Sequence, residues 1–577
     1  MRFQENKSKN GYKCYFIVKS VYDNGKRTNK VIEKLGSYEE LVARAGDEDP
    51  IEWGHNYAKQ LTEEEKIQKE EILIPFKPSL TINKDENKLF NGGYLFLQQI
   101  YYELGLDKIS KNISKKYKFQ YDLNDILSKL VYSRILSPSS KKSSYEYSQK
   151  FLEQPKFDLH HIYRSLEILS KESDYIQSEV YKNSNKKYSR DTDIIYYDCT
   201  NFFFEIEECE DDKQYGVSKE GRPNPIVQMG LFMDSDGIPL AMNITPGNMN
   251  EQRTMKPLEK KLIKDFEIRH MVVCTDAGLS SRENRTFNVI QGRDFITTQS
   301  IKKMNSNLKS WCLSLDGWRL SGKTNEYNLG KILSDDVLKK TYKDKIFYKE
   351  QWEIDDKGFE QRYIVSFSIK YMEYLKSIRN NHIQRALNSI SKNSSDKKRQ
   401  TDFRRLIKRI SVTKEGEVAS SDSYTIDTNM IDEESKYDGF YCVCTSLENP
   451  VEQILRINKH RWEIEENFRI LKSDFEARPV YVKREDRIKA HFLTCFLALT
   501  VFRILEKKKL FEEYTSNNIL KELREMNFYQ IFGEGYVPTY TRTDFTDAIH
   551  ETFGFRTDYT IIKKQTMKQI IKNTKKA

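Results

Sequence analysis

At Asp193 the hydrophobic period of the chain changes, and nothing else in the sequence limits the fold as strongly. Before it, Leu95, Leu97, Ile100, Tyr101 and Leu104, then Ile126, Leu127, Leu130 and Val131, then Ile162, Leu166 and Ile168 recur at helical spacing. After it, residues 194–206 form a long β-rich run (Ile-Ile-Tyr-Tyr-Asp-Cys-Thr-Asn-Phe-Phe-Phe-Glu-Ile). Residues 225–233 and 238–244 follow as a hairpin about the turn Asp234-Ser-Asp-Gly237. The spacing predicts a helix over 254–265, short strands at 271–275 and 294–300, and a last strand at 439–445. Three strands, a helix, a strand and a later helix predict a mixed α/β core.

The other segments arrange themselves around that core. Residues 1–45 read as a small β-hairpin unit about Asp23-Asn-Gly-Lys26, and 46–91 as a connector. Residues 92–190 read as a helical, possible DNA-binding domain, and 191–301 with 439–510 as the mixed α/β core. Residues 302–438 are a β-rich, basic insertion that interrupts it, and 511–577 are a C-terminal region with a basic, mobile tail. The apolar run 492–505, broken by Thr494, Thr500 and Arg503, fits a core helix and is too short to span a bilayer. No membrane partner is expected. The eight cysteines form no Cys-x-x-Cys pair and read as reduced thiols of a cytoplasmic protein.

The net charge of +10 is unevenly spread. Residues 102–190 hold 17 Lys and Arg against 11 Asp and Glu, and residues 369–412 hold 12 against 3. The second excess points to a polyanion, first of all nucleic acid. Lys397, Lys398, Arg399, Arg404 and Arg405 are its candidate phosphate contacts. A solvated basic lobe is the plain alternative.

The chemistry concentrates on residues 461–472. Ile464, Phe468, Leu471 and Phe475 form an apolar helical stripe. At ~100° per residue, Arg461, Glu465 and Lys472 fall within roughly 60° of one another along its edge. A surface ladder of charge pairs would show the same spacing. Two upstream aspartates favour more. Asp198 lies inside a strand and Asp276 ends one, although aspartate is depleted from strands. Converging carboxylates of this kind suit Mg²⁺, and Arg461 and Lys472 beside them would serve phosphates.

The motifs Tyr197-Asp-Cys-Thr200, Gly237-Ile-Pro-Leu240 with Pro246-Gly-Asn248, Thr275-Asp-Ala-Gly-Leu279, Arg461-Trp-Glu-Ile-Glu465 and Leu471-Lys472 occur in that order. In this the chain resembles the DDE transposases of bacterial insertion sequences. The likeness is to the cut-and-paste, insertion-sequence-family-four-like group whose helix carries a Tyr-Arg-Glu-Lys pattern. The resemblance implies a ribonuclease-H-like fold with Asp198, Asp276 and Glu465 as catalytic, metal-binding triad. It implies two Mg²⁺ ions (Mn²⁺ accepted), cleavage of the element's own ends, and joining to target DNA. The implied partners are double-stranded DNA (terminal inverted repeats and target) and a second copy of the chain on paired ends, in a bacterial, nucleoid-associated setting. The pattern's Tyr is Asn458 here, which puts its phosphate contact in question, and Tyr441 is a possible substitute. If cleavage runs through a hairpin, a flipped base needs an aromatic receptor, for which Trp311, Trp318 and Trp352 are candidates. A nuclease without strand joining, or a catalytically silent DNA-binding protein derived from a transposase, are the alternatives.

Overall fold

The computed structural model describes the chain except for residues 8–11, 24–25, 47, 69–71, 73, 75–78, 80, 82, 85, 269, 392–401, 413–417 and 577. It divides into two units, Met1–Glu86 and Asn87–Ala577. In the first, β1 (Arg2–Lys7), β2 (Lys13–Asp23) and β3 (Lys26–Gly36) make an antiparallel sheet in sequence order. The helix α1 (Tyr38–Ala45) starts from a reciprocal Ser37–Glu40 capping box. Residues 46–91, read as a connector with a helical patch near Thr62, hold the helix α2 (Pro50–Gln68). Its Ile51, Tyr57, Ala58 and Leu61 pack with Tyr15, Ile17 and Leu35, so the sheet has a covered face. The expected Asn24-Gly25 turn lies outside the described residues.

The second unit begins with β4 (Leu89–Asn91) and six helices: α3 (Tyr94–Glu103), α4 (Leu106–Tyr117), α5 (Leu123–Leu136), α6 (Lys141–Ser148), α7 (Leu159–Lys171) and α8 (Ser173–Tyr188). Strands follow where the period changes: β5 (Ile194–Phe203), β6 (Ile226–Met233), β7 (Pro239–Pro246), then α9 (Met255–Asp265), β8 (Val272–Thr275), α10 (Arg282–Ile290) and β9 (Asp294–Thr298). The insertion holds α11 (Ser306–Leu313), β10 (Trp318–Leu320), β11 (Glu326–Tyr327), α12 (Leu329–Ser334), α13 (Asp336–Thr341), β12 (Ile346–Ile354) and β13 (Glu360–Ser368). It closes with α14 (Ile369–Ile390), β14 (Ile407–Val412), β15 (Val418–Ile426) and α15 (Thr428–Ser435), and the chain re-enters the core at β16 (Phe440–Thr445).

One mixed sheet of ten strands runs β11-β10-β12-β13-β16-β9-β8-β5-β6-β7. Only the β5–β8 and β8–β9 pairs are parallel. The insertion is therefore not separate from the core: β13 pairs with β16 from Arg362↔Thr445 to Phe367↔Phe440, and its strands extend the core sheet.

After β16 come α16 (Val451–Lys459), α17 (Trp462–Arg469) and α18 (Glu485–Ile504). Residues 485–509 are long and apolar enough to cross a membrane, yet 94% of that window is buried in the fold. A helix apolar on every side must be enclosed, and α5 and α7 enclose this one. Helices α3–α8 therefore share one core with α18 and the sheet. The last segment is more ordered than the sequence suggests: α19 (Ser516–Glu525), β17 (Asn527–Ile531), β18 (Gly535–Pro538), α20 (Asp544–Phe553), β19 (Ile562–Lys563) and α21 (Lys564–Asn573). β17 pairs with β4. Lys575, expected in a mobile tail, bridges to Glu153 at 2.6 Å.

Lys141, at the start of α6, is buried. Desolvation, reinforced by the Arg134 charge, pushes its pKa from the ordinary 10.5 to about 7. Below that pH the folded chain must enclose a charge that the unfolded chain leaves in water. The penalty is full below pH 7 and fades towards 10.5. Lys141→Met should thus raise the unfolding midpoint at pH 6, by an amount that shrinks steadily on titration to pH 10.

Candidate active site

Strand register brings the two aspartates together. In the parallel β5–β8 pair Tyr197 lies opposite Thr275, so Asp198 and Asp276 occupy the next step on neighbouring strands. β8 ends at Thr275 while β5 runs on to Phe203. The strands part there, at the carboxyl end where open α/β sheets place their sites. Alternation aims Ile195, Tyr197 and Cys199 at one apolar cluster and Tyr196 and Phe202 at another, with Asp198 on their face. Asp198 Oδ1 accepts from Cys199 N (2.7 Å). Asp276 Oδ1 accepts from Gly278 N (2.9 Å) and Leu279 N (3.1 Å). Each carboxylate thus has a backbone-fixed oxygen and a second outside those bonds. Burial pushes the Asp198 pKa up to about 6; Lys219 opposes the rise, and the Asp276 charge adds to it.

β9 continues the row. Thr275 lies opposite Thr297, and Thr298 Oγ1 accepts from Arg461 Nη1 at 2.8 Å. Arg461 thereby stands close enough to Asp198 to favour its ionised form. Thr298 also shares a 2.7 Å hydrogen bond with the Tyr441 hydroxyl, which accepts from Asn458 Nδ2 at 2.8 Å. The side chain that replaces the resemblance's Tyr thus holds another tyrosine's hydroxyl beside Arg461. Tyr441→Phe removes both bonds and leaves the buried Asn458 Nδ2 without that acceptor, while Asn458 Oδ1 still accepts from Thr298 Oγ1 at 3.4 Å. The expected cost is about 1–3 kcal/mol of unfolding free energy, read from urea titration.

The 461–472 segment departs from the single regular helix its spacing suggested. Arg461 is the cap residue of α17, and Lys472 sits in a π-helical turn, Ile470–Asp474, beyond the helix. The extra residue per turn offsets Lys472 from the rim on which 3.6-residue geometry placed it. Lys472 nevertheless lies near Asp198, and desolvation, with the like charge of Lys219, lowers its pKa to about 8. Glu465 is exposed on α17. Among the described residues, the Asp198, Asp276 and Glu465 carboxylates do not close to within 4.8 Å of one another.

α17 itself is fixed by its opposite side. Glu463, 1% exposed, pairs with Arg503 and, at 2.8 Å, with Lys507. Asn467 Nδ2 donates to Gly237 O at 3.0 Å. Gly237, at φ +76°, brings the β6–β7 turn so close that a Cβ would lie 2.8 Å from Arg503 Nη2.

The remaining candidates scatter. Trp318 is fully buried; its Nε1 donates to Ser314 O (2.9 Å) and Lys349 lies over its ring, so it is a core residue with no face for a base. Trp311 packs on the same cluster, while Trp352 is 41% exposed. Arg405 is engaged by Glu434 at 2.7 and 2.9 Å, which makes it a structural tie rather than a free phosphate contact. Arg404 lies 3.8 Å from Asp402. Lys397, Lys398 and Arg399 lie outside the described residues. Sequence reasoning missed Lys219, which heads the charges acting on Asp198. Its only signal was the pair of glycines, Gly216 and Gly221, that punctuate an otherwise patternless loop.

Among curated proteins none matches this chain. Among solved structures, the piggyBac transposase synaptic complex with hairpin DNA matches at 7% identity over 84% of each chain, with a TM-score of 0.35. The Mos1 transposase paired-end complex matches at 13% over 45% of this chain and 71% of its own, with a TM-score of 0.14. Superpositions this loose fix no residue correspondence. The transposase DDE domain family matches residues 204–501. That span includes Asp276 and Glu465 and starts just after Asp198. It covers more than half of the 577 residues, and the chain belongs to the transposase DDE domain family.

Proposed function

We propose that this protein is a DNA transposase of the insertion-sequence-family-four-like group, built on a ribonuclease-H-like core. It would cleave the ends of its own element and join them to target DNA. The observation that carries this reading is the pair Asp198 and Asp276, side by side where β5 and β8 part, with Arg461 and Lys472 nearby. The donor set fits a hard divalent cation. Two aspartates occupy adjacent steps on neighbouring strands, and burial and the Asp276 charge disfavour Asp198 as a lone anion. Asp198 and Asp276, completed by a movement of Glu465, would hold two Mg²⁺ ions, with Mn²⁺ accepted. When bound, such ions activate a hydroxyl nucleophile and stabilise the leaving oxygen of a phosphodiester. Arg461, anchored on Thr298, and Lys472 orient the strand through its phosphates. Paired element ends call for a homodimer in the bacterial cytoplasm, on the nucleoid.

A specific observation favours a second reading, a catalytically silent DNA-binding protein. Among the described residues the three carboxylates do not close to within 4.8 Å of one another, and Asn458 replaces the Tyr that the resemblance implies. The test is a supercoiled plasmid carrying the DNA that flanks this gene, incubated with the protein in Mg²⁺ or EDTA. Mg²⁺-dependent breaks at the element boundaries, followed by insertion into a second plasmid, are the expected result. Breaks without insertion indicate a nuclease, and tight binding without breaks indicates the silent reading.

A further inference from the structure

Between β5 and β6 the chain makes a long irregular excursion, residues 204–225, whose construction centres on Lys219. Asn201, 2% exposed on β5, grips it twice: its Nδ2 donates to Val217 O (3.1 Å) and its Oδ1 accepts from Lys219 N (3.2 Å). A turn follows. Gly221 N donates to Ser218 O (3.1 Å), with Gly221 at φ +71°, and Ser218 Oγ accepts from Glu220 N (3.3 Å) and Arg222 N (3.2 Å). Glu220 then binds Lys472 at 3.4 Å and pairs with Arg478. The turn so fixes two lysines around Asp198, one from each end of the core sequence.

The Lys219 ammonium donates to Cys199 O, one residue past Asp198 on the part of β5 that β8 no longer covers. It also reaches Glu251 at 3.4 Å. An ammonium has three donors, and two are accounted for here. The side chain remains 39% exposed. Asn201 already holds the loop backbone, and Lys219 adds a positive charge beside the carboxylate pair.

We propose that Lys219 is a DNA-contacting residue of this site: with Lys472 it holds a backbone phosphate of the strand that lies over Asp198. This deepens the transposase reading and rests on it. A phosphodiester is the chemistry two such cations recognise, since each offers a point charge to a non-bridging oxygen. One phosphate neutralised by Lys219 releases counterions and adds about 0.9 to the slope of log affinity against log salt.

The experiment uses the full-length protein, a fluorescein-labelled duplex of the DNA flanking this gene, and EDTA so that nothing is cut. Lys219→Met, Lys219→Gln and Lys219→Arg are compared with wild type by anisotropy over a KCl series. Between about 50 and about 200 mM salt, wild type and Lys219→Arg should lose about 3.5-fold more affinity than Lys219→Met. Lys219→Gln keeps a donor for Cys199 O but no charge, and should show the same shallower slope whether or not Lys219→Met folds. Neutral variants with an unchanged salt slope and a lowered melting temperature would show a loop tie and overturn the proposal. The wild-type arm separates the two failures. Wild type that binds here, and cuts the flanking DNA when assayed in Mg²⁺, while the variants keep its slope overturns the Lys219 role alone. Wild type that binds no duplex at any salt overturns the transposase reading and this role together.

Discussion

Asp198→Asn and Asp276→Asn should each remove metal-dependent DNA cleavage, by on the order of 10³-fold or more, while leaving the fold intact. The size follows from what a divalent ion contributes in such a site, several kcal/mol of transition-state stabilisation, at about 1.4 kcal/mol per decade of rate. The Asn amide keeps the oxygen that fixes each side chain to the backbone, accepting from Cys199 N at position 198 and from Gly278 N at position 276. It loses the charge that would bind a cation. Stability should move the other way. Burial and the neighbouring Asp276 charge disfavour the ionised Asp198, so in EDTA at pH 7 the Asp198→Asn protein should melt above wild type. A variant that loses cleavage because it has unfolded would melt below it. Measuring plasmid cleavage and melting on the same preparations separates the two, and full cleavage by either Asn variant would remove that residue from the site.

Glu463→Ala should cost about 3–5 kcal/mol in urea unfolding. Glu463 is enclosed with Arg503, Glu506 and Lys507 between α17 and α18. Truncating it leaves the Arg503 guanidinium buried with only Glu506 and carbonyl oxygens around it. Replacing Glu463 and Arg503 together by Leu and Met should cost much less, because no buried charge is then left without its partner. Equal losses for the single and double variants would mean that packing, not charge, holds α17. The same substitutions should lower cleavage further than stability predicts, since α17 carries Glu465 and is capped by Arg461.

What could be read from the sequence follows the range of the interactions involved. The strands at Ile194–Phe203, Val272–Thr275 and Asp294–Thr298 were legible because their apolar runs and turns are local. Asp198 and Asp276 stood out because a carboxylate inside such a run has to be explained. The continuation of the core sheet through the insertion was not legible. The Arg362↔Thr445 pairing joins residues distant in the chain, and a strand's partner leaves no mark on its own period. The π-helical turn after Arg469 was hidden for a related reason: Leu471 and Phe475 are buried whether the turn holds four residues or five. The C-terminal segment read as irregular because its elements are short, and their order comes from packing on α3 and β4. Lys219 was hidden because loop residues carry no period.

The pairing of β4 with β17 has a bearing on when this protein can act. Leu89 finds its partner only at Tyr529, and the core of the α3–α8 layer is α18, residues 485–504. During synthesis, more than four hundred residues must therefore leave the ribosome before that layer acquires its centre. Asp198 and Asp276 are made early, but α17 and the helix that clamps it are made late. A transposase so arranged cannot complete its working site until the chain has been made through α18, well past the last of the three carboxylates.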